Sequence, residues 1–255
     1  MVLSMDRWIG KVAVVTGASS GIGAAITKKL VEEGMIVVGL ARRKQKVEEL
    51  ASTLGDKSNR LHSVKCDISK EQEILEAFKW TVTNLGPVHV LVNNAGCFYN
   101  DSLSDGSTEI IRTIVDTNLI GLTLCCKEGI RSMKANNIAG HIININSILG
   151  HSIPTQFLNV SMYPATKFAV RAATETIRME LAHQGSPIKI TSISPGATES
   201  EIAFKAIDTG TYSEVFIKDK MLMAEDIADA VHYAISTPQH VQIKELTIKP
   251  VAELY

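Results

Sequence analysis

The 255-residue chain has no apolar run approaching the roughly 18–20 residues a helix needs to cross a bilayer, which excludes a membrane-spanning class. Its opening, "MVLSMDRWIGK", lacks a long apolar core behind a basic segment, the mark of a secretory signal. Net charge is nearly absent too. Against 27 Asp and Glu stand 26 Lys and Arg, for a formal charge of −1, so there is no basic excess to hold nucleic acid. The one basic cluster, "ARRKQK" at 41–46, is short and local. Cysteine is scarce: Cys66, Cys97, Cys125 and Cys126 fit no zinc or redox spacing, because an adjacent pair is not a CxxC. Small buried thiols in a reducing compartment are the expectation. No repeat, low-complexity tract or Pro/Gly/Ser-rich linker divides the chain. One cytoplasmic domain over 1–255 is expected, without metal, disulfide, nucleic-acid partner or membrane span.

What is present is a rhythm. Short runs rich in Val and Ile recur at 11–16, 35–40, 60–66, 88–93, 141–146, 188–193 and 244–249. Most are apolar nearly throughout, as strands buried on both faces of a parallel sheet must be. Helical patterns fill the gaps at 21–33, 43–54, 70–84, 108–134, 162–183 and 224–236. The alternation builds βαβ units, so the predicted fold is α/β: a single doubly wound parallel sheet of about seven strands flanked by helices. The stretch 197–223 breaks the rhythm and reads as a substrate-side lid. Ligands of such sheets sit beyond the carboxyl ends of the strands, which confines the search for chemistry.

After the first strand, "TGASSGIG" (16–23) opens directly into a helix. Gly17, Gly21 and Gly23 allow a tight turn and close approach of a ligand. Ser19, Ser20 and the backbone through Ile22 offer donors at a helix N-terminus suited to a phosphate. The second strand ends in "GLARRKQK", with Ala41 where an NAD-binding unit would carry an acid, then Arg42 and Arg43. Two guanidiniums can grip a ribose 2′-phosphate, and no carboxylate opposes them, which predicts NADP(H) over NAD(H). After the third strand, Asp67 and Ile68 in "CDIS" face the adenine position. Asp67 serves equally well as a cap for the following helix. "NNAG" contributes Asn94, Ala95 and Gly96 after the fourth strand.

Tyr163 and Lys167, four apart in "SMYPATKFAV", share one helix face. Pro164 is tolerated in a first turn, and Ser161 is placed to cap it. Free tyrosine titrates near 10, too high to cycle easily between acid and base; a lysine one turn along favours the phenolate.

Taken together, "TGASSGIG", "NNAG", a serine ending the fifth strand and "YPATK" resemble the short-chain dehydrogenase/reductase family, in order and over essentially the whole chain. GxxxGxG is that family's glycine spacing. "DRWIGKVAVVTGASSGIGAAI", "HIININSILGH" and "STPQHVQI" are most similar to its NADP-dependent carbonyl reductase branch, with insect farnesol dehydrogenase-like and vertebrate hydroxysteroid dehydrogenase-like members. The resemblance implies a Rossmann-type domain and a catalytic group of Asn118, Ser147, Tyr163 and Lys167. Tyr163 exchanges the proton, Lys167 also reaches the nicotinamide ribose, Ser147 orients the carbonyl, and Asn118 holds a water linked to Lys167. "SPGATES" would wrap the nicotinamide with Pro195 and Gly196. Thr198 and Ser200 replace the family's usual valine and threonine there, and spacing favours Ser200 for the carboxamide.

Sixteen positions from Ser147 to Tyr163 are slightly more than usual, so "LGHSIPTQFLNVSM" is expected to bulge over the substrate. His151, Phe157, Met162 and Tyr212 are pocket candidates, none of them catalytic. Few charges lie in "LGHSIPTQFLNVSM" and "AFKAIDTGTYSEVF", which points to an apolar ketone or aldehyde and its alcohol, of ketosteroid, farnesol or retinoid type. Epimerisation or dehydration on the same cofactor is disfavoured by the short C-terminal region. A cofactor-sensing interaction protein is disfavoured by the intact Ser, Tyr, Lys and Asn set. The resemblance also implies a homodimer or homotetramer.

Overall fold

The order of strands in space is β3-β2-β1-β4-β5-β6-β7, all parallel, so the chain runs outward in one direction, returns past β1 and runs outward in the other. The computed structural model describes residues 2–153, 159–203 and 221–251. The strands are β1 (Val12–Thr16), β2 (Ile36–Ala41), β3 (Leu61–Lys65), β4 (Val88–Asn93), β5 (His141–Ile145), β6 (Lys189–Pro195) and β7 (Glu245–Ile248). The helices are α1 (Gly21–Glu32), α2 (Lys44–Ser52), α3 (Glu71–Leu85), α4 (Thr108–Val115), α5 (Leu122–Ala135), α6 (Tyr163–His183) and α7 (Ala224–Ser236). All seven predicted strands and six predicted helical regions are found where the apolar runs and amphipathic stretches lie.

The near-continuous apolar runs work because each strand feeds two cores at once. Ala13, Val15, Val37, Val90, Val92, Ile143 and Ile193 face α1 and α7, where Ile26, Leu30, Ile227 and Val231 meet them. Their alternates Val12, Val14, Val38, Leu91, Ile142 and Ile190 face α3, α5 and α6 through Ile74, Phe78, Leu122, Met133 and Val170. Cys66, Cys125 and Cys126 are buried in this second core, where burial pushes the Cys66 and Cys126 thiols up to about 12.

The predicted continuous helix 108–134 is interrupted. Asp116–Gly121 forms a π-helical turn between α4 and α5, with Asn118 buried in it. A π-turn inserts one residue into the helical repeat, but the buried positions Ile114, Asn118, Gly121 and Leu122 keep helical spacings of three to four, so hydrophobic spacing alone does not reveal it. The predicted cap of α6 is also corrected. Met162 occupies the cap position, and Ser161 has φ +46° with its buried hydroxyl unbonded among the described residues. Asp67 does not cap α3, which starts at Glu71. Its Oδ1 accepts from Ser69 N (3.0 Å) and Ser69 Oγ (2.8 Å) in a local turn instead.

The chain start is clasped to the far end of the sequence. Trp8 Nε1 donates to Ile235 O (2.8 Å), and Arg7 donates to Ile235 O and Thr237 O (2.9 Å each), the carbonyls at the end of α7. The expected lid at 197–223 falls largely outside the described residues, as do the pocket candidates Phe157 and Tyr212.

Candidate active site

One cleft runs along the carboxyl ends of β1, β2, β4, β5 and β6, at the place where the strand order reverses. Every predicted site residue except Asn118 lines it. At one end lie Gly17, Ser19, Ser20, Gly21, Ile22 and Gly23, with Arg42, Arg43, Asp67 and Ile68 beside them. Asn94, Ala95 and Gly96 form the middle. Ser147, Tyr163, Lys167, Pro195, Gly196, Thr198 and Ser200 close the other end.

The glycine-rich turn is shaped by contact as well as by dihedral freedom. Gly17 has φ +69°, and a Cβ there would stand 2.8 Å from Ala95 Cα. A Cβ on Gly23 would stand 2.2 Å from Gly17 O and 2.4 Å from Asn94 Nδ2. Asn94 is the fastener of this turn. Its Nδ2 donates to Thr16 O (3.1 Å) and Gly17 O (3.3 Å), while Thr16 Oγ1 accepts from the amides of Asn94 and Ala95 (3.0 Å each). The side chain expected to face a ligand therefore binds β4 to the turn.

At the opposite end, Lys167 is 5 % exposed, and its Nζ donates to Ile145 O at 3.0 Å. Its Nζ stands 5.6 Å from the Tyr163 ring centroid. Burial pulls the ammonium down to about 8, against a weaker opposite pull from Cys97. The Tyr163 ring packs edge-on against Phe98, 5.6 Å between centroids. Ser147 Oγ accepts from Leu149 N (3.1 Å), which leaves its own proton to donate toward the cleft. Next to it, the Asn146 amide is buried and lines the cleft. Neither its Nδ2 nor its Oδ1 has a partner among the described residues, so a polar ligand would meet a ready donor and acceptor.

The Asn118 side chain is bound within the protein. Its Oδ1 accepts from Cys97 N (2.8 Å), and its Nδ2 donates to Cys97 O (2.9 Å) and Thr166 Oγ1 (3.4 Å). The carboxamide thus pins the cleft wall to the helix carrying Tyr163 and Lys167. Thr198 Oγ1 donates to Gly196 O (3.0 Å), whereas Ser200 Oγ accepts from Ala203 N (3.2 Å) and retains its proton.

His151 is held by Ser194 Oγ and Glu245 Oε1, both 3.0 Å from Nε2, and does not line the cleft; nor does Met162. The expectation that no carboxylate opposes the arginines is overturned. Glu201 forms a two-pronged pair with Arg43, Nη1 to Oε1 at 3.0 Å and Nη2 to Oε2 at 2.7 Å. Sequence reasoning also missed Cys97 and Phe98, although they directly follow "NNAG". It missed Asn146, although it directly precedes Ser147.

A family model described as short chain dehydrogenase matches residues 11–209. The chain is 50 % identical over 253 residues to farnesol dehydrogenase of Aedes aegypti, covering 98 % of this chain and 100 % of the relative. It is 44 % identical over 259 residues to dehydrogenase/reductase SDR family member 11 of Gallus gallus, covering 98 % and 100 %. The solved closed form of serine dehydrogenase complexed with NADP+ superposes with a TM-score of 0.85 at 30 % identity, covering 96 % of each chain. The chain belongs to the short-chain dehydrogenase family of oxidoreductases and is similar to its farnesol dehydrogenase-like members. Among the described residues, no helix is long and apolar enough to cross a membrane.

Proposed function

We propose that this chain is an NADP(H)-dependent oxidoreductase that interconverts an apolar ketone or aldehyde and its alcohol. The observation that carries the reading is the single cleft joining Arg43, Ser19 and Ser20 at one end to Ser147, Tyr163 and Lys167 at the other. The donor set fits a dinucleotide. The Gly17–Gly23 turn lets a pyrophosphate approach backbone amides at the start of α1, and Arg43 with its two serine neighbours suits a 2′-phosphate. Asp67 and Ile68 would flank the adenine, and Ser200, with its free proton, would meet the carboxamide. The NADP+ held by the serine dehydrogenase relative supports the choice of cofactor.

When bound, the cofactor supplies or accepts the hydride; the chain's residues handle the proton. Ser147 donates a hydrogen bond to the substrate oxygen and fixes it beside the Tyr163 hydroxyl. Tyr163 gives its proton to the developing alkoxide in reduction and takes it back in oxidation. The Lys167 ammonium, one helical turn away, favours the phenolate left behind. Asn118 acts as a positioning residue, its side chain being occupied by the Cys97 backbone. The name of the farnesol dehydrogenase relative supports a terpenoid-sized apolar substrate. We further propose a substrate-side role for the 197–223 segment, a cytoplasmic location and a homodimer or homotetramer as the active species.

The test is Tyr163→Phe together with a panel of terpenoid, steroid and aromatic carbonyls, followed by NADPH consumption. Loss of turnover by about 10²–10⁴-fold is expected, with NADPH binding retained. Undiminished turnover in the variant would overturn the mechanism. Binding of NADPH without turnover of any carbonyl by the native chain would favour the sensing role.

A further inference from the structure

The Arg43–Glu201 pair joins two parts of the chain that also meet where Ser200 passes the start of α1, a Cβ on Gly21 standing 3.4 Å from Ser200 Cβ. Arg43 stands at the start of α2, on the adenosine side. Glu201 follows the wrap of Pro195–Ser200 at the nicotinamide side and arrives 158 positions later in sequence. Its carboxylate takes both prongs of the guanidinium, while Nη2 also donates to Ser20 Oγ (3.0 Å) and Ser19 Oγ (3.3 Å). A two-pronged carboxylate presents to arginine the geometry that a phosphate would present. Glu201 takes the Nη1/Nη2 edge of the guanidinium, and Nη2 is the nitrogen that also turns toward Ser19 and Ser20. Both side chains are about half exposed, 47 % and 54 %, so the pair is exchangeable and no buried charge has to be stranded to open it.

We infer that Glu201 is a specificity-determining residue: an internal anion that competes with the cofactor's 2′-phosphate for Arg43 and sets how strongly the chain prefers NADP(H) to NAD(H). This rests on the cofactor reading above. A dianionic phosphate entering beside Ser19 and Ser20 must displace the Glu201 carboxylate or lie against it, and either is unfavourable. A cofactor bearing only a 2′-hydroxyl does neither, and can accept the carboxylate as a hydrogen-bond partner. Glu201 therefore weakens the phosphorylated cofactor and spares the unphosphorylated one.

The experiment is calorimetric titration of the full chain, without substrate, using NADPH, NADH, 2′-AMP and 5′-AMP. It compares the native chain with Glu201→Gln, Arg43→Gln and the double variant. Glu201→Gln is expected to tighten NADPH and 2′-AMP by about fivefold, the equivalent of about 1 kcal/mol. NADH and 5′-AMP should stay within about twofold or weaken. In the Arg43→Gln background the gain should vanish, since no guanidinium remains to be released. Equal affinities for NADPH in native and Glu201→Gln chains, or equal tightening of NADPH and NADH, would overturn the inference while leaving the cofactor reading intact. Failure of the native chain to bind either nicotinamide cofactor would overturn the cofactor reading itself.

Discussion

Lys167 holds a charge among carbonyls and aliphatic carbons at 5 % exposure, and that placement has consequences at the scale of a single residue. An ammonium pulled from 10.5 to about 8 disfavours folding at neutral pH by about 3 kcal/mol, with the bond to Ile145 O setting how much survives. The unfolded chain keeps the proton up to its higher value, so the penalty is complete below about 8 and fades as pH rises toward 10.5. Lys167→Met should therefore abolish turnover yet raise the melting temperature by several degrees, read by scanning calorimetry at pH 7. The same titration limits the reaction. In the proposed mechanism alcohol oxidation needs the cation beside the phenolate, so kcat/KM should fall above about pH 8, with apparent values belonging to the Tyr163–Lys167 pair. In Lys167→Arg, whose guanidinium stays charged, whatever activity remains should lose that alkaline limb.

At the scale of elements, the glycine-rich turn and the α7 clasp are the two joints whose failure should be most visible. Gly23→Ala would drive a methyl group into Gly17 O and the Asn94 amide that fastens the turn. It should weaken NADPH at least about tenfold by calorimetry and cost about 1–3 kcal/mol of stability. Trp8→Ala removes a 3 % exposed ring and leaves Ile235 O without its indole donor. A loss of about 3–5 kcal/mol is expected from urea titration. The strands and helices were legible in sequence because buried parallel strands must be apolar on both faces, as "KVAVVT" and "VHVLVN" are. The π-turn at Asp116–Gly121 was not, because the buried positions around it keep ordinary helical spacings of three to four residues. Asn118 was singled out in the sequence, but its grip on the Cys97 backbone was not legible. Nor was Glu201, whose partner lies 158 positions away; local charge patterns report neighbours within a turn or two, not contacts made by tertiary folding.

For the whole molecule, acid should act through a few histidines. His141 at the start of β5 is wholly buried; its Nε2 is 2.8 Å from Thr191 Oγ1. Burial first, then the charges of Lys189 and Arg7, hold it well below its ordinary value of 6.5. His62 and His89 are lowered in the same direction, mainly by burial. As pH falls through 6.5 the unfolded chain takes protons that the folded chain refuses, so stability present above 6.5 is lost below it. The expected slope is about 1–2 kcal/mol per pH unit between 6.5 and 5, measured by urea midpoints. His141→Gln should flatten it.

The central place of β1 and the seat of α1 against α7 bear on how the chain comes into being. Val12–Thr16 leaves the ribosome first among the strands, yet one flank waits for Val88–Asn93. The helix behind it waits for Ile227 and Val231, and for the Lys29–Asp229 pair, to cover it. The glycine-rich turn is thus translated early and stabilised late. A growing polypeptide halted anywhere before residue 236 should expose the inner side of α1 to chaperones, and nucleotide affinity should arise only with release of the finished product.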